Sequence, residues 1–288
     1  SLPRALLRVG FGEEDLRPLP SDSDFRLPVG ELARAIDGDR NAGAAPLMVI
    51  ANAGTTNTGS VDPMPAIADL CRDRGLWLHV DAAYGGPAAL TERGRVELAG
   101  LEDADSVVLD PHKWLFQPYD IGCLLMRPGV LEAGFSMTPE YLRDVQSATD
   151  VDFRDRGPEL SRRARAAKLW LSFRSYGLLR IRQAIAAGID LAEFAEARLR
   201  AQPDRWEVIS PARLGIVCFA LNGAAPGEMN RRAARLADSG FACVSSTRLQ
   251  GREALRLCTI NPLTREADIT ATLDALAEPV STQPRGQG

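Results

Sequence analysis

Leu47-Met48-Val49-Ile50, then Asn52-Ala53-Gly54-Thr55-Thr56-Asn57-Thr58-Gly59, and further on Leu76-Trp77-Leu78-His79-Val80-Asp81 are the stretches whose reading decides the fold. The first and last are apolar runs of strand length, and the polar, glycine-containing piece after the first reads as a turn. Between them Asp62 and Pro63 offer an N-cap and a first helical residue, Ile67, Leu70 and Cys71 recur at helical spacing, and Gly75 ends the helix. Strand, helix and strand within about 35 residues form the right-handed crossover of a parallel sheet.

Working outward, residues 106–109 and 121–126 repeat the buried-strand pattern. Gly54 to Thr56, Asp81 and Asp110 to Lys113 then fall just past the carboxyl ends of strands, where open α/β sheets place their ligands. Residues 137–157 are polar and read as a mobile loop with one helical turn. Helices are expected over 159–176 and 177–200, the second carrying the apolar stripe Leu178, Ile181, Ile185, Ile189 and Leu191. Strands at 207–209, 216–221, 241–245 and 255–259, with helices at 227–239 and 264–277, predict a compact α+β unit separate from the first sheet. The expected division is therefore 1–176, part of an α/β large domain with a mostly parallel sheet, and 177–288, a small C-terminal α+β domain. The chain opens on Ser1 and a helical stretch, 2–9, without a cap, which reads as a sequence lacking an upstream segment; the tail beyond Glu278 is expected to fray.

Composition bounds the function. The 288 residues carry 34 Lys+Arg against 38 Asp+Glu, a formal charge of -4 that argues against a general nucleic-acid binder. No apolar run reaches the roughly 20 residues of a membrane span, and no signal pattern opens the chain, so a cytoplasmic protein is expected. Five scattered cysteines (Cys71, Cys123, Cys218, Cys243, Cys258) without a C-x-x-C pair read as small core residues in a reducing compartment, and no metal site is expected.

Among the 34 basic residues only Lys113 and Lys168 are lysine, and the histidines are His79 and His112. Codon bias explains such rarity on its own, yet lysine alone among the basic side chains forms an imine. Asp81 ends a buried strand with no cation beside it in sequence. Such a carboxylate needs a positive partner or takes up a proton, and a bound pyridinium nitrogen is one such partner. A protonated pyridine is an electron sink for a carbanion formed next to an imine, and Lys113, after the neighbouring strand, is placed to form that imine. Asp81 as an Asx-turn residue and Lys113 as an exposed loop lysine remain open on spacing alone. Lys168, among Leu169, Trp170 and Phe173, reads as a snorkelling surface side chain.

Three motifs in order, Gly54-Thr55-Thr56-Asn57-Thr58-Gly59-Ser60-Val61-Asp62-Pro63, His79-Val80-Asp81-Ala82-Ala83-Tyr84-Gly85-Gly86 and Asp110-Pro111-His112-Lys113-Trp114-Leu115, resemble the group II pyridoxal phosphate-dependent decarboxylases. The resemblance runs from Ser1 to about Ala277. It implies the PLP-dependent transferase fold type I, pyridoxal 5'-phosphate as cofactor, an amino-acid substrate, and a homodimer with active sites at the subunit interface. By the same resemblance Lys113 matches the Schiff-base lysine, Asp81 the partner of the pyridinium nitrogen, Thr56 a residue near the ring and the substrate carboxylate, and Ala83 one packed on the ring face. His112 matches a residue beside the phosphate and the imine, with a structural loop histidine as the alternative. Tyr141 matches the tyrosine that protonates the substrate carbon after carbon dioxide leaves; a partly buried helix tyrosine is its other reading.

Asp110 departs from the asparagine common in animal members, and a carboxylate near a phosphate repels, so it is kept out of the phosphate site. Arg162 and Arg163 fall in an arginine-rich helix start and read mostly as surface charges. His79, two residues before Asp81, points to the same side of its strand and is equally readable as a core histidine. The implied activity is decarboxylation of an L-amino acid, aromatic foremost, to the amine. Transamination or aldehyde formation on the same scaffold, and a catalytically silent truncated paralogue, are the alternatives. The implied aromatic stacking histidine and the main phosphate loop precede the point that matches Ser1, so a chain without them is expected to bind the cofactor weakly.

Overall fold

Helices α1 (Leu2–Arg8) and α2 (Val29–Asn41) lead into the crossover expected at residues 47–81, in a computed structural model that describes residues 2–135 and 153–279. Strands β1 (Met48–Asn52) and β2 (Trp77–Asp81) run parallel, Met48 opposite Trp77 and Asn52 opposite Asp81, and α3 (Met64–Arg74) joins them. Met64, Ile67, Ala68 and Cys71 put the buried stripe of α3 on the sheet, and Gly75, at φ 61°, supplies the left-handed C-cap. After α4 (Glu92–Glu97), β3 (Ser106–Leu109) pairs in parallel with β2, and β4 (Cys123–Met126) runs antiparallel to β3. The sheet order is β1-β2-β3-β4. Along β2 the alternation is plain: Leu78 and Val80 are buried, while Trp77, His79 and Asp81 share the more open face.

Two expectations here need correction. Asp62 does not cap α3, whose N-cap is Pro63; its buried carboxylate instead accepts the backbone N–H groups of Leu27 and Asn52, both at 2.7 Å. A side chain placed to cap its own helix is drawn to donors distant in sequence because these are buried as well. β4 is not a buried strand: Leu124 and Leu125 are about half exposed, as fits an edge strand paired on one side among the described residues.

Past α5 (Val130–Phe135) the described chain resumes at residue 153, with one 3-10 turn at Phe153–Arg156. α6 (Arg165–Arg200) begins later than the expected 159, because Ser161, Arg162 and Arg163 are exposed and bury nothing that would hold a helical turn. It is interrupted at Gly177, whose φ of 77° and ψ of 150° are non-helical.

The second sheet is antiparallel throughout, in the order β5 (Trp206–Arg213), β6 (Ile216–Leu221), β8 (Arg252–Cys258), β7 (Ser245–Leu249). The helices α7 (Glu228–Asp238) and α8 (Glu266–Ala277) cover it, and Trp206, Phe219, Met229, Leu255 and Leu273 form its core. The strand expected at 241–245 lies at Ser245–Leu249. Its register is set by a hairpin turn at Gln250-Gly251, both with positive φ, which pairs Leu249 with Arg252.

The two sheets are joined by apolar packing. Ile181, Ile185 and Ile189 of α6 and Ile216 of β6 belong to the same core as Val80 and Trp114. Of the five cysteines, all free, only Cys71 and Cys218 are buried; burial pushes their thiols up to about 11 and about 12, so they are inert, whereas Cys243 is exposed and departs from the core reading. Among the described residues no helix is long and apolar enough to cross a membrane.

The turns after β1 and β2 touch backbone to backbone. A Cβ on Gly85 would lie inside contact distance of the Ala53 carbonyl, and one on Gly54 would sit 2.6 Å from Gly85 Cα. Gly85→Ala is therefore expected to destabilise the fold by about 3 kcal/mol, measured as a fall in urea midpoint at unchanged m-value. An unchanged midpoint would show that these turns are free to part.

Candidate active site at the sheet rim

The carboxyl ends of β2 and β3 are bonded together. Asp81 lies opposite Val108, Ala82 donates its N–H to the Val108 carbonyl at 2.9 Å, and Asp110 donates its own to the Ala83 carbonyl at 3.0 Å. The chain then turns, with Lys113 N–H on the Asp110 carbonyl at 2.9 Å. Asp81 and Lys113 thus leave two adjacent strands at one rim, with Ala83 and Asp110 as the shared backbone between them.

Asp81, half-buried, accepts the Ala83 N–H at 3.0 Å, an Asx turn that occupies one carboxylate oxygen. No lysine or arginine pairs with it among the described residues. Lys113 is likewise half-buried, and its ammonium lies 3.0 Å from Asp110 Oδ2. Asp110, left out of the expected site, is therefore the carboxylate that holds the lysine amine; the i, i+3 spacing of the pair within one turn is the sequence signal for it. Trp114 next door is fully buried, stacked on Tyr84 at 5.3 Å, and Tyr84 donates its hydroxyl to the Leu214 carbonyl at 2.6 Å. This apolar anchor fixes the backbone from which Lys113 projects.

His112 sits beside Lys113. Its Nδ1 is 2.7 Å from the Ile121 carbonyl and 3.3 Å from the Ile121 N–H; the shorter contact, to the carbonyl, is satisfied by a proton on that nitrogen, and the ring stacks on Tyr119 at 4.3 Å between centroids. The other nitrogen, Nε2, faces Asp110 Oδ2 at 3.8 Å. His79 shares the face of Asp81, and its Nδ1 meets Ser106 Oγ at 2.8 Å, with Trp77 Nε1 donating to the same oxygen at 2.9 Å. Burial lowers the His79 pKa, opposed by the charge of Asp81. Ser106 had no motif to reveal it; only its register opposite His79 does.

Thr56 is exposed at the tip of the turn after β1. That turn is braced internally by Thr55, Thr58 and Ser60 hydroxyls, 2.9 to 3.2 Å apart, and from the second sheet by Arg256, whose Nε donates to the Thr56 carbonyl at 2.6 Å. Ala83 is half-buried and offers only a methyl. Tyr141 lies outside the described residues. Arg162 rests on the Phe153 ring at 5.1 Å. Lys168 does not snorkel: its ammonium donates to the carbonyls of Pro118 and Asp120, at 2.7 and 2.9 Å, because that turn folds back over the start of α6.

Residues 5–222 match the family described as the pyridoxal-dependent decarboxylase conserved domain. The chain belongs to that family. It is 45% identical to an aromatic-L-amino-acid decarboxylase of Bacillus atrophaeus over 98% of this chain and 61% of that protein. It is 37% identical to a phenylacetaldehyde synthase of Petunia hybrida over 77% of this chain and 45% of that protein. A crystal structure of Oryza sativa TDC with PLP and tryptamine superposes with a TM-score of 0.87 at 32% identity, over 95% of this chain and 59% of that one. The chain thus spans between about half and three-fifths of the length of these relatives, and its fold is the fold type I of pyridoxal phosphate-dependent decarboxylases.

Pyridoxal 5'-phosphate is the cofactor of this family, and the rim has the donor set for it. Asp81 is a half-buried carboxylate with no cation partner among the described residues, Lys113 is an amine after the adjacent strand end, and Ala83 between them carries only a methyl.

A histidine with a lowered pKa binds fewer protons folded than unfolded. Its contribution is present above the unfolded value, near 6.5, and is lost as pH falls through the folded one. Between pH 7.5 and pH 5.5 the unsubstituted chain is therefore expected to lose more of its urea midpoint than His79→Gln does. Equal losses in the two proteins would place His79 in solvent.

Proposed function

We propose that this protein decarboxylates an aromatic L-amino acid to the corresponding amine and carbon dioxide, using pyridoxal 5'-phosphate, as a cytoplasmic homodimer. The observation that carries this is a carboxylate without a cation partner among the described residues, Asp81, and a lysine amine, Lys113, just past neighbouring strand ends tied by the Ala83–Asp110 backbone bond. The substrate class is supported by the aromatic-L-amino-acid decarboxylase relative and by the tryptamine in the similar rice structure.

When bound, the cofactor supplies an electron sink for the carbon that carbon dioxide leaves. Lys113 would hold it covalently through its amine, which first has to leave Asp110. Asp81 would keep a proton on the ring nitrogen, the positive charge it lacks among the described residues. Ala83 would pack its methyl on the ring face, and the Thr56 hydroxyl would face the ring and the substrate carboxylate. His112, held with its proton on Nδ1, presents Nε2 as the nitrogen able to accept or pass a proton at the site. Tyr141 would return a proton to the substrate carbon. The chain is best divided at Gly177, where α6 breaks, into the large-domain portion 1–176 and the small domain 177–288.

The petunia relative keeps aldehyde formation as a second reading. The family resemblance makes Tyr141 favour the amine, since it implies phenylalanine at the matching position of aldehyde-forming members. Incubation with pyridoxal 5'-phosphate, borohydride reduction and peptide mapping is expected to place one adduct on Lys113 and none in Lys113→Ala. Asp81→Asn is expected to lower turnover by about 100-fold or more, with amine remaining the product. An adduct on Lys168 instead, or none at saturating cofactor, would overturn the assignment and favour a silent paralogue.

A further inference from the structure

The turn at residues 117–121 is held from one side by α6. Arg165 Nε meets Asp120 Oδ1 at 3.3 Å, Lys168 Nζ takes the Pro118 and Asp120 carbonyls, and Ser172 Oγ lies 3.2 Å from Gln117 Oε1. These three side chains, three and four residues apart, form one stripe of the helix. From its other side the same turn holds His112, through the Ile121 carbonyl on Nδ1 and the Tyr119 ring on the imidazole face. Tyr119 is itself 82% exposed, so little else packs it in place.

We infer that Lys168 is a positioning residue for His112: by gathering two carbonyls of the turn it fixes the oxygen that sets the imidazole's tautomer and the ring that limits its tilt. The residue type suits the task. Two carbonyl oxygens converge on one nitrogen at 2.7 and 2.9 Å, a geometry for a compact ammonium with rotating donors; a planar guanidinium spreads its donors over a fork. Only Lys113 and Lys168 are lysine in this chain, against 32 arginines, and both lie on this one structure. The consequence of the Lys168 arrangement for catalysis rests on the function proposed above, but the arrangement itself does not.

Because the chain has two histidines, His79 and His112, nitrogen-15 histidine labelling gives two imidazoles, assigned with His79→Gln. Spectra of the protein without cofactor are expected to show His112 protonated at Nδ1 and bare at Nε2. Lys168→Met is expected to lower the ratio of Nδ1–H to Nε2–H forms about fivefold, the effect of losing one hydrogen bond's worth of bias. Lys168→Gln, which retains a donor for one carbonyl, is expected to lower it by less, and it carries the test if the methionine variant fails to fold. His112 signals unchanged in a folded Lys168 variant would overturn the inference. The Lys113 adduct, measured separately, reports on the proposed function whatever the imidazole does.

Discussion

The rim depends on one constraint: β2 and β3 run parallel, in a register that brings the Asp110 N–H onto the Ala83 carbonyl. Parallel strands deliver their carboxyl ends to the same edge of a sheet, so residues 32 positions apart leave it side by side. That bond ties the turn carrying Lys113 to the end of the strand that carries Asp81. The surroundings protect the bond. Gly54 and Gly85 let the flanking turns meet, and Trp114, buried against Tyr84, ties the Lys113 turn into the core shared with the second sheet.

Charge placement explains why two nearby carboxylates have different fates. Asp110 already has an ammonium at 3.0 Å, so its charge is satisfied within the chain. Asp81 has a backbone N–H and no such cation among the described residues. On the function proposed above, a pyridinium nitrogen supplies the positive charge that Asp81 lacks among these residues.

Much of this was legible in the sequence because period and punctuation are local signals. The β1-α3-β2 crossover, β3, Gly75 as a C-cap and the shared rim of Asp81 and Lys113 followed from apolar runs and turn residues. What escaped depends on distant partners. Asp62 looks like a cap but serves the backbone of Leu27 and Asn52. β4 carries the apolar content of a buried strand yet sits at an edge, and β7 is set by a hairpin at Gln250-Gly251 rather than by its own composition. Lys168 stands out by rarity yet reads as a surface residue, since no local pattern tells that the 117–121 turn folds back on α6.

The claim that a pyridine is bracketed by residues 81 and 113 is tested most directly at the ring nitrogen itself. With nitrogen-15 pyridoxal 5'-phosphate bound, the unsubstituted protein should give the chemical shift of a protonated pyridinium, and Asp81→Asn that of a neutral ring. A neutral-ring signal in the unsubstituted protein would contradict the account.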